Sequence, residues 1–314
     1  MRTAYNQLKL SIFLTSFFVF PFVSCEHKEL CYDHPHLANV QVIFDWKNAH
    51  GPIPTNMRLY LFPSNRGESF LYEFTNPKGG NISVPTGHYK ALCVNYDTET
   101  ILYRNINQFS NFEAYATDGT LGVRATSVPR AVGTEKERIA KSPDRLWCAH
   151  INDICIENLK TVLTICPKEI TSCYRVKVKN VSHLKYIAQD GISGALSGVS
   201  GGLLVSIEKP STEFVTIPFK MIQKDSTTLT ADFLCFGHCP STQKSHKLVI
   251  YVIFADGRKC YYTYDVTSQI HNAPDPRNVF IVLDSLPLPK PIVNGSGFQT
   301  SVDKWQNINI NISM

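Results

Sequence analysis

Gly198-Val199-Ser200-Gly201-Gly202 has the G-x-S-x-G spacing of a nucleophile elbow, where a sharp turn presents a serine hydroxyl to a histidine base. That chemistry needs a buried strand before the serine and a helix after it. Here GISGALS precedes, small and polar, and LLVSIEKP follows, a strand pattern closed by Pro210. These flanks predict a flexible or closely packed loop, and no triad or carboxylate pair can be nominated to complete a catalytic centre. The run is not a phosphate loop either, because no Gly-Lys-Ser/Thr closes it.

Cys235-Phe236-Gly237-His238-Cys239 places three metal-ligand side chains in one short stretch. Zinc would need a fourth ligand or a water, no second compact pair lies nearby, and His246 is reached only if the loop folds back. The spacing predicts a strand-end turn with core thiols or one local disulfide. His34-Pro35-His36, with His27 upstream, could also hold a metal, but Pro35 keeps this segment extended and it reads as a solvated tether. His271-Asn272-Ala273-Pro274-Asp275-Pro276 is rich in turn formers and reads as a strand connection. Asn81, Asn180, Asn294 and Asn311 begin N-x-S patterns, fortuitous beside a signal of bacterial type. The sequence thus nominates no catalytic residue, no metal site and no cofactor.

One cysteine carries a different chemistry. A basic start containing Arg2 and Lys9 leads into the uncharged run SIFLTSFFVFPFV, and Phe22-Val23-Ser24-Cys25 follows. The run is too short to span a bilayer, which takes about 20 apolar residues, and has the form of a secretory signal. Two readings remain: cleavage near Ser24 as in an ordinary signal peptide, or a lipoprotein signal in which the Cys25 sulfur carries the lipid. The second makes Cys25 the lipidation site and predicts an outer-membrane or cell-surface location, with the membrane as partner through the lipid. Acyl chains contribute about 0.8 kcal/mol per buried methylene, so more than one gives stable anchoring.

The elements that must carry these residues are strands. The chain has 314 residues, 43% hydrophobic and 18% charged, enough for a sizeable core and against disorder. Its net charge of +5 is dispersed, with no basic stripe interleaved with aromatics, so nucleic acid is excluded as a partner. Ten cysteines suit an exported protein, but their pairing cannot be read from spacing. In ANVQVIFDW, Val40, Val42, Phe44 and Trp46 fall on one face of a half-buried strand. MRLYLFP, SFLYEFT, NISV, HYKALCVNY, ILYRN, RLWCAHI and DICIE continue the pattern, with turns at 77–80 and 85–87 and a polar stretch near 118–144. From about Leu163 a second series follows: SCYRVKVKNV, EFVTIPFKMI, TTLTADFLCFG, KLVIYVIF, KCYYTYDV and NVFIVLD. Asp256-Gly257 supplies the turn of a hairpin between KLVIYVIF and KCYYTYDV. Strands at this spacing without helical periods point to an all-β chain of sandwiches.

CEHKELCYDHPHLANVQVIFDW, NFEAYATD, SPDRLW, SGALSGVSGGLL and HNAPDPRNVFIVLD, in that order, resemble a family of Bacteroidota lipoproteins of unassigned function placed with the fimbrillin-like proteins. The resemblance runs from Cys25 to NININISM. It implies two tandem transthyretin-like β-sandwich domains and a non-catalytic role as a fimbrial minor, anchor or adhesive subunit. The expected division is 1–24 signal peptide, 25–37 lipid-anchored tether, 38–160 N-terminal sandwich and 161–314 C-terminal sandwich. Relatives polymerise by giving a strand to a groove on a neighbour, so fimbrial subunits are expected partners by strand exchange. Glu26, Lys28 and Glu29 partly match the family's surface-export signal. The rival reading is a surface lipoprotein whose loops bind a glycan or host protein without fimbrial assembly.

KWQNININISM supplies a candidate strand for such exchange. Ile308, Ile310, Ile312 and Met314 alternate with Asn307, Asn309, Asn311 and Ser313, which makes an amphipathic strand. It either completes its own domain's sheet or serves as a donor to an exposed edge on a neighbour.

Overall fold

The computed structural model describes residues 36–65, 67–121, 128–157, 160–238, 244–290 and 305–308. Cys25, the tether up to Pro35, Cys239, Ile310, Ile312 and Met314 lie outside the described residues. Along the chain run β1 Leu37–Phe44, β2 Met57–Pro63, β3 Phe70–Phe74, β4 Gly79–Pro85, β5 Gly87–Asn95, β6 Ile101–Arg104 and β7 Glu113–Ala116. There follow β8 Arg138–Ile139, β9 Trp147–Ile156, β10 Lys160–Ile165, β11 Lys168–Glu169, β12 Ser172–Val178, β13 Ile187–Ser200, β14 Gly202–Leu204 and β15 Lys209–Pro210. The remainder are β16 Phe214–Lys220, β17 Ile222–Gln223, β18 Leu229–Cys235, β19 Lys247–Phe254, β20 Lys259–Asp265, the short helix α1 Thr267–His271, β21 Asn278–Leu283 and β22 Trp305–Asn307. The protein is all-β, as the alternating pattern predicts.

The first sheet, β10-β1-β4, lies over the second, β11-β9-β5-β2-β3. Val40, Val42 and Phe44 of β1 are buried with Met57, Leu59 and Leu61 of β2 and Ala91 and Cys93 of β5. Phe44 meets Phe74 edge-on at 5.2 Å. Trp46, beyond the end of β1, packs on the same core and donates from Nε1 to the Pro77 carbonyl at 2.6 Å.

The second sheet is buried on both faces. Tyr60 and Phe62 of β2 and Leu92 and Val94 of β5 point away from the first core and join a larger one. This double burial is why MRLYLFP and YKALCVN read as near-continuous apolar runs rather than alternating ones. The larger core continues between a four-stranded sheet, β17-β18-β12-β21, and a six-stranded sheet, β22-β20-β19-β13-β16-β8. Phe219 of β16 stacks on Phe233 of β18 at 4.3 Å, tying these two layers together.

Strand pairing crosses the middle of the sequence several times. β10 runs parallel to β1, and β11 pairs with β9, so residues 160–169 sit in the first two sheets. β8 runs parallel to β16 in the six-stranded sheet. A small sheet, β15-β14-β7-β6, joins strands from before and after residue 160. Arg104 and Arg138 bridge this join through Glu213, Arg138 at 2.7 Å and Arg104 at 3.4 Å, while Arg104 also holds Glu113 of β7 at 2.7 Å.

Two readings of local structure need correction. RLWCAHI and DICIE are not two strands but the single strand β9. The glycine-rich run expected as a loop is β13, with β16 on one side and β19 on the other. Small side chains let it pass under bulky neighbours; a Cβ on Gly194 would stand 2.5 Å from the Phe219 ring. The hairpin at Asp256-Gly257 forms as predicted, with Gly257 at φ +84° and Phe254 N–H donating to the Arg258 carbonyl at 2.9 Å.

Candidate functional site

Ser200 closes β13 and is completely buried. Its hydroxyl lies 2.6 Å from the Gly202 carbonyl, 2.9 Å from the Ser211 carbonyl and 3.3 Å from the Ser211 hydroxyl. It holds together the chain entering β14 and the chain leaving β15. The segment after it is a strand, and β14 pairs with β7. The sequence spacing of an elbow is therefore met without the strand-turn-helix geometry that exposes a nucleophile.

The histidines behave differently. The chain after β18 does return, and it places His246 beside His238, while α1 brings His271 to both. His246 Nε2 is 3.1 Å from His271 Nε2, and His246 Nδ1 is 3.3 Å from the Ser197 carbonyl. His238 stacks on His271 and its Nδ1 meets the Tyr174 hydroxyl at 3.1 Å. Burial pushes the His246 pKa down to about 4, helped by charge repulsion from His271 and His238. Burial, then His271, lowers that of His238 as well. Cys235 is fully buried, and burial pushes its thiol up to about 12. His271, read from sequence as part of a plain connection, is the member that spacing could not reveal.

Residues 305–308 occupy the edge of the six-stranded sheet. β22 runs parallel to β20, with Trp305 opposite Lys259 and Asn307 opposite Tyr261. Ile308 N–H donates to the Tyr261 carbonyl at 3.2 Å, and the Ile308 side chain packs against the larger core. Trp305 lies on the other face, edge-on to Tyr251 at 5.5 Å, in a small outer cluster with Ala131, Ala195 and Val249. Period-2 alternation accounts for this division of Trp305 from Ile308.

A cleft of about 440 Å³ lies between the second sheet and the β6–β7 hairpin, lined by Arg58, Tyr60, Tyr96, Leu102, Tyr103 and Tyr115 among others. The Arg58 guanidinium stacks 3.9 Å over the Tyr96 ring and pairs with Glu73 at 2.7 Å. No sequence signal marks this cleft, because its wall comes from strands that are not neighbours in sequence.

The described residues thus form an all-β core with β22 at one edge of the six-stranded sheet. Residues 24–220 match the family described as a domain of unknown function, DUF5119, and the chain belongs to that family. A Bacteroides ovatus protein, Fim4B, proposed by its name as a fimbrium anchoring subunit, is 25% identical over 215 residues. That alignment covers 68% of this chain and 60% of the relative's length. A crystal structure from Bacteroides ovatus ATCC 8483, described as a candidate adhesin, superposes with a TM-score of 0.65 at 24% identity. It covers 86% of this chain and 98% of that one, so the fold is shared nearly end to end. The fimbrial anchor protein Mfa2 of Porphyromonas gingivalis gives a TM-score of 0.48 at 12% identity, covering 79% of this chain and 91% of that one.

Proposed function

We propose that the protein is a lipid-anchored cell-surface subunit of a fimbrium, acting as an anchor, minor or adhesive subunit without catalysis. The observation that carries this reading is the likeness to a relative named as a fimbrium anchoring subunit, over 68% of this chain. The finer parts follow from the residues. Cys25 carries the lipid, 1–24 is the cleaved signal, and 25–37 is the tether to the outer membrane. The chain divides into two transthyretin-like sandwiches, 38–160 and 161–314, with β10 and β11 reaching back from the second segment to pair in the sheets of the first. Ile308, Ile310, Ile312 and Met314 form a strand that can leave its own sheet and complete a neighbouring fimbrial subunit. The position of β22 at a sheet edge, paired among the described residues only with β20, supports this, since an edge strand can be exchanged without breaking the pairing of the strands behind it. The test is to shear fibres from producing cells and ask whether this chain copurifies with them. Its absence from the fibres, with the chain intact on the surface, would remove the fimbrial reading.

A second reading rests on the tyrosine-lined cleft. Tyr60, Tyr96, Tyr103 and Tyr115 line it with Arg58, whose guanidinium stacks on one face of Tyr96, a mix of rings and one polar group suited to a sugar. A surface lipoprotein binding a glycan would use this cleft. Glycan-array binding lost in Tyr96→Ala and Tyr115→Ala would support it.

A further inference from the structure

We propose that His88, Cys155 and Glu157 form a site for one divalent cation of zinc type on the exposed side of the β5–β9 ladder. His88 and Cys155 are direct partners in that ladder. Along β9, half-buried Ile154 and fully buried Ile156 turn toward the first core. Period-2 alternation then turns Asp153, Cys155 and Glu157 outward together. His88 Nε2 stands 3.5 Å from the Cys155 Sγ, and that sulfur stands 3.0 Å from Glu157 Oε1. All three ligand atoms lie within 4.8 Å of one another. Around tetrahedral zinc, with Zn–S near ~2.3 Å and Zn–N near ~2.0 Å, ligand atoms stand about 3.3–3.6 Å apart. Rotamer adjustments of exposed side chains are enough to close the trio around an ion.

Three further observations favour a metal over a chance cluster. One thiolate, one imidazole and one carboxylate form a mixed set that suits zinc and disfavours magnesium or calcium, which take oxygen only. His88 Nδ1 faces Asp153 Oδ1 at 3.8 Å, beyond hydrogen-bond length but close enough for a rotamer change of these exposed side chains to make the carboxylate–histidine bond that orients the other ring nitrogen toward a metal. Among the described residues, no other trio of His, Cys, Asp or Glu converges this closely. The buried histidine cluster does not, because His238 stacks face-on against His271 and turns its Nδ1 to Tyr174.

Without an ion, the hydrogen bond to Glu157 raises the Cys155 pKa, and the thiol remains a donor to that carboxylate. On binding, the S–H bond breaks, the sulfur pair bonds to the cation, and the proton leaves to solvent. The fourth position is open to water, because His88 and Asp153 are largely exposed. The ion would staple β5 to the end of β9.

The test uses the full chain, reduced and metal-free, with Zn²⁺ as the probe. Calorimetry is expected to show one equivalent bound with proton release. Zn²⁺ is expected to slow alkylation of Cys155, read by peptide mass spectrometry, and to leave the exposed Cys166 unaffected. Cys155→Ser is expected to abolish the binding, and Asp153→Asn to weaken it about tenfold. Equal alkylation of Cys155 with and without Zn²⁺ would overturn the proposal. So would Zn²⁺ binding that survives Cys155→Ser and is lost in His271→Ala, which would place the metal in the histidine cluster. The side chains are exposed, so the metal-free variants should keep the parent melting temperature, and the loss then reads as loss of ligand.

Discussion

His271 donates through Nε2 to the Nε2 of His246 at 3.1 Å, because the Nδ1 proton of His246 is directed at the Ser197 carbonyl. A second proton on His246 would set donor against donor unless His271 moved its own proton to Nδ1. The folded pKa of His246 is held near 4, against about 6.5 in an unfolded chain. The unfolded state binds more protons between those values, so stability is full above about pH 6.5 and falls as the pH drops toward 4. The expected loss is on the order of 3 kcal/mol. Urea titrations between pH 7.5 and 4 measure it, and His246→Gln should flatten that part of the profile. Asp265, with its pKa held to about 2 by Lys247 and Thr267 against burial, adds acid loss only below about pH 4.

The edge strand separates two fates of the C-terminal segment. Trp305→Ala removes a half-buried ring from Tyr251 and should cost about 1–2 kcal/mol in isolated monomer. Ile308→Asp places a charge against the larger core and should lower the melting temperature further. If both leave monomer stability unchanged but prevent incorporation into fibres, the segment works as a donor to a neighbour. If neither quantity changes, the segment has neither role.

The glycine-rich strand should tolerate no added bulk. Gly194→Val drives a side chain into Phe219 and its stacked partner Phe233, and should destabilise by about 1–3 kcal/mol. Chemical denaturation reads this directly. A neutral result would mean that β13 and β16 are spaced more widely than described.

Ser200→Ala distinguishes a structural serine from a nucleophile. It removes the hydroxyl that meets the Gly202 and Ser211 carbonyls, and should cost about 1–2 kcal/mol. A fluorophosphonate probe should leave Ser200 of the parent protein unlabelled. Labelling there would reopen the elbow reading.

The all-β class was legible because β1, β12 and β20 each bury one face and alternate cleanly. The hairpin at Asp256-Gly257 was legible because its turn chemistry is local. β13 was not, because a strand packed under Phe219 selects Gly, Ala and Ser, the residues that also make loops. The lacing of the two halves was hidden for another reason. β8 and β11 are two-residue strands, and their pairing is decided by distant partners rather than by local pattern. Spacing flagged Cys235, His238 and His246 but not His271, and gave no sign of His88 beside Cys155. Those neighbours are set by register across 25 residues in one case and 67 in the other.

The most direct measurement of the central claim is to delete this chain from cells that produce it and count fibres attached to the cells against fibres shed into the medium. The fimbrial account predicts fewer attached fibres or more shed ones, restored by the parent chain and not by Cys25→Ala. Unchanged number, length and attachment of fibres in the deletion would contradict it.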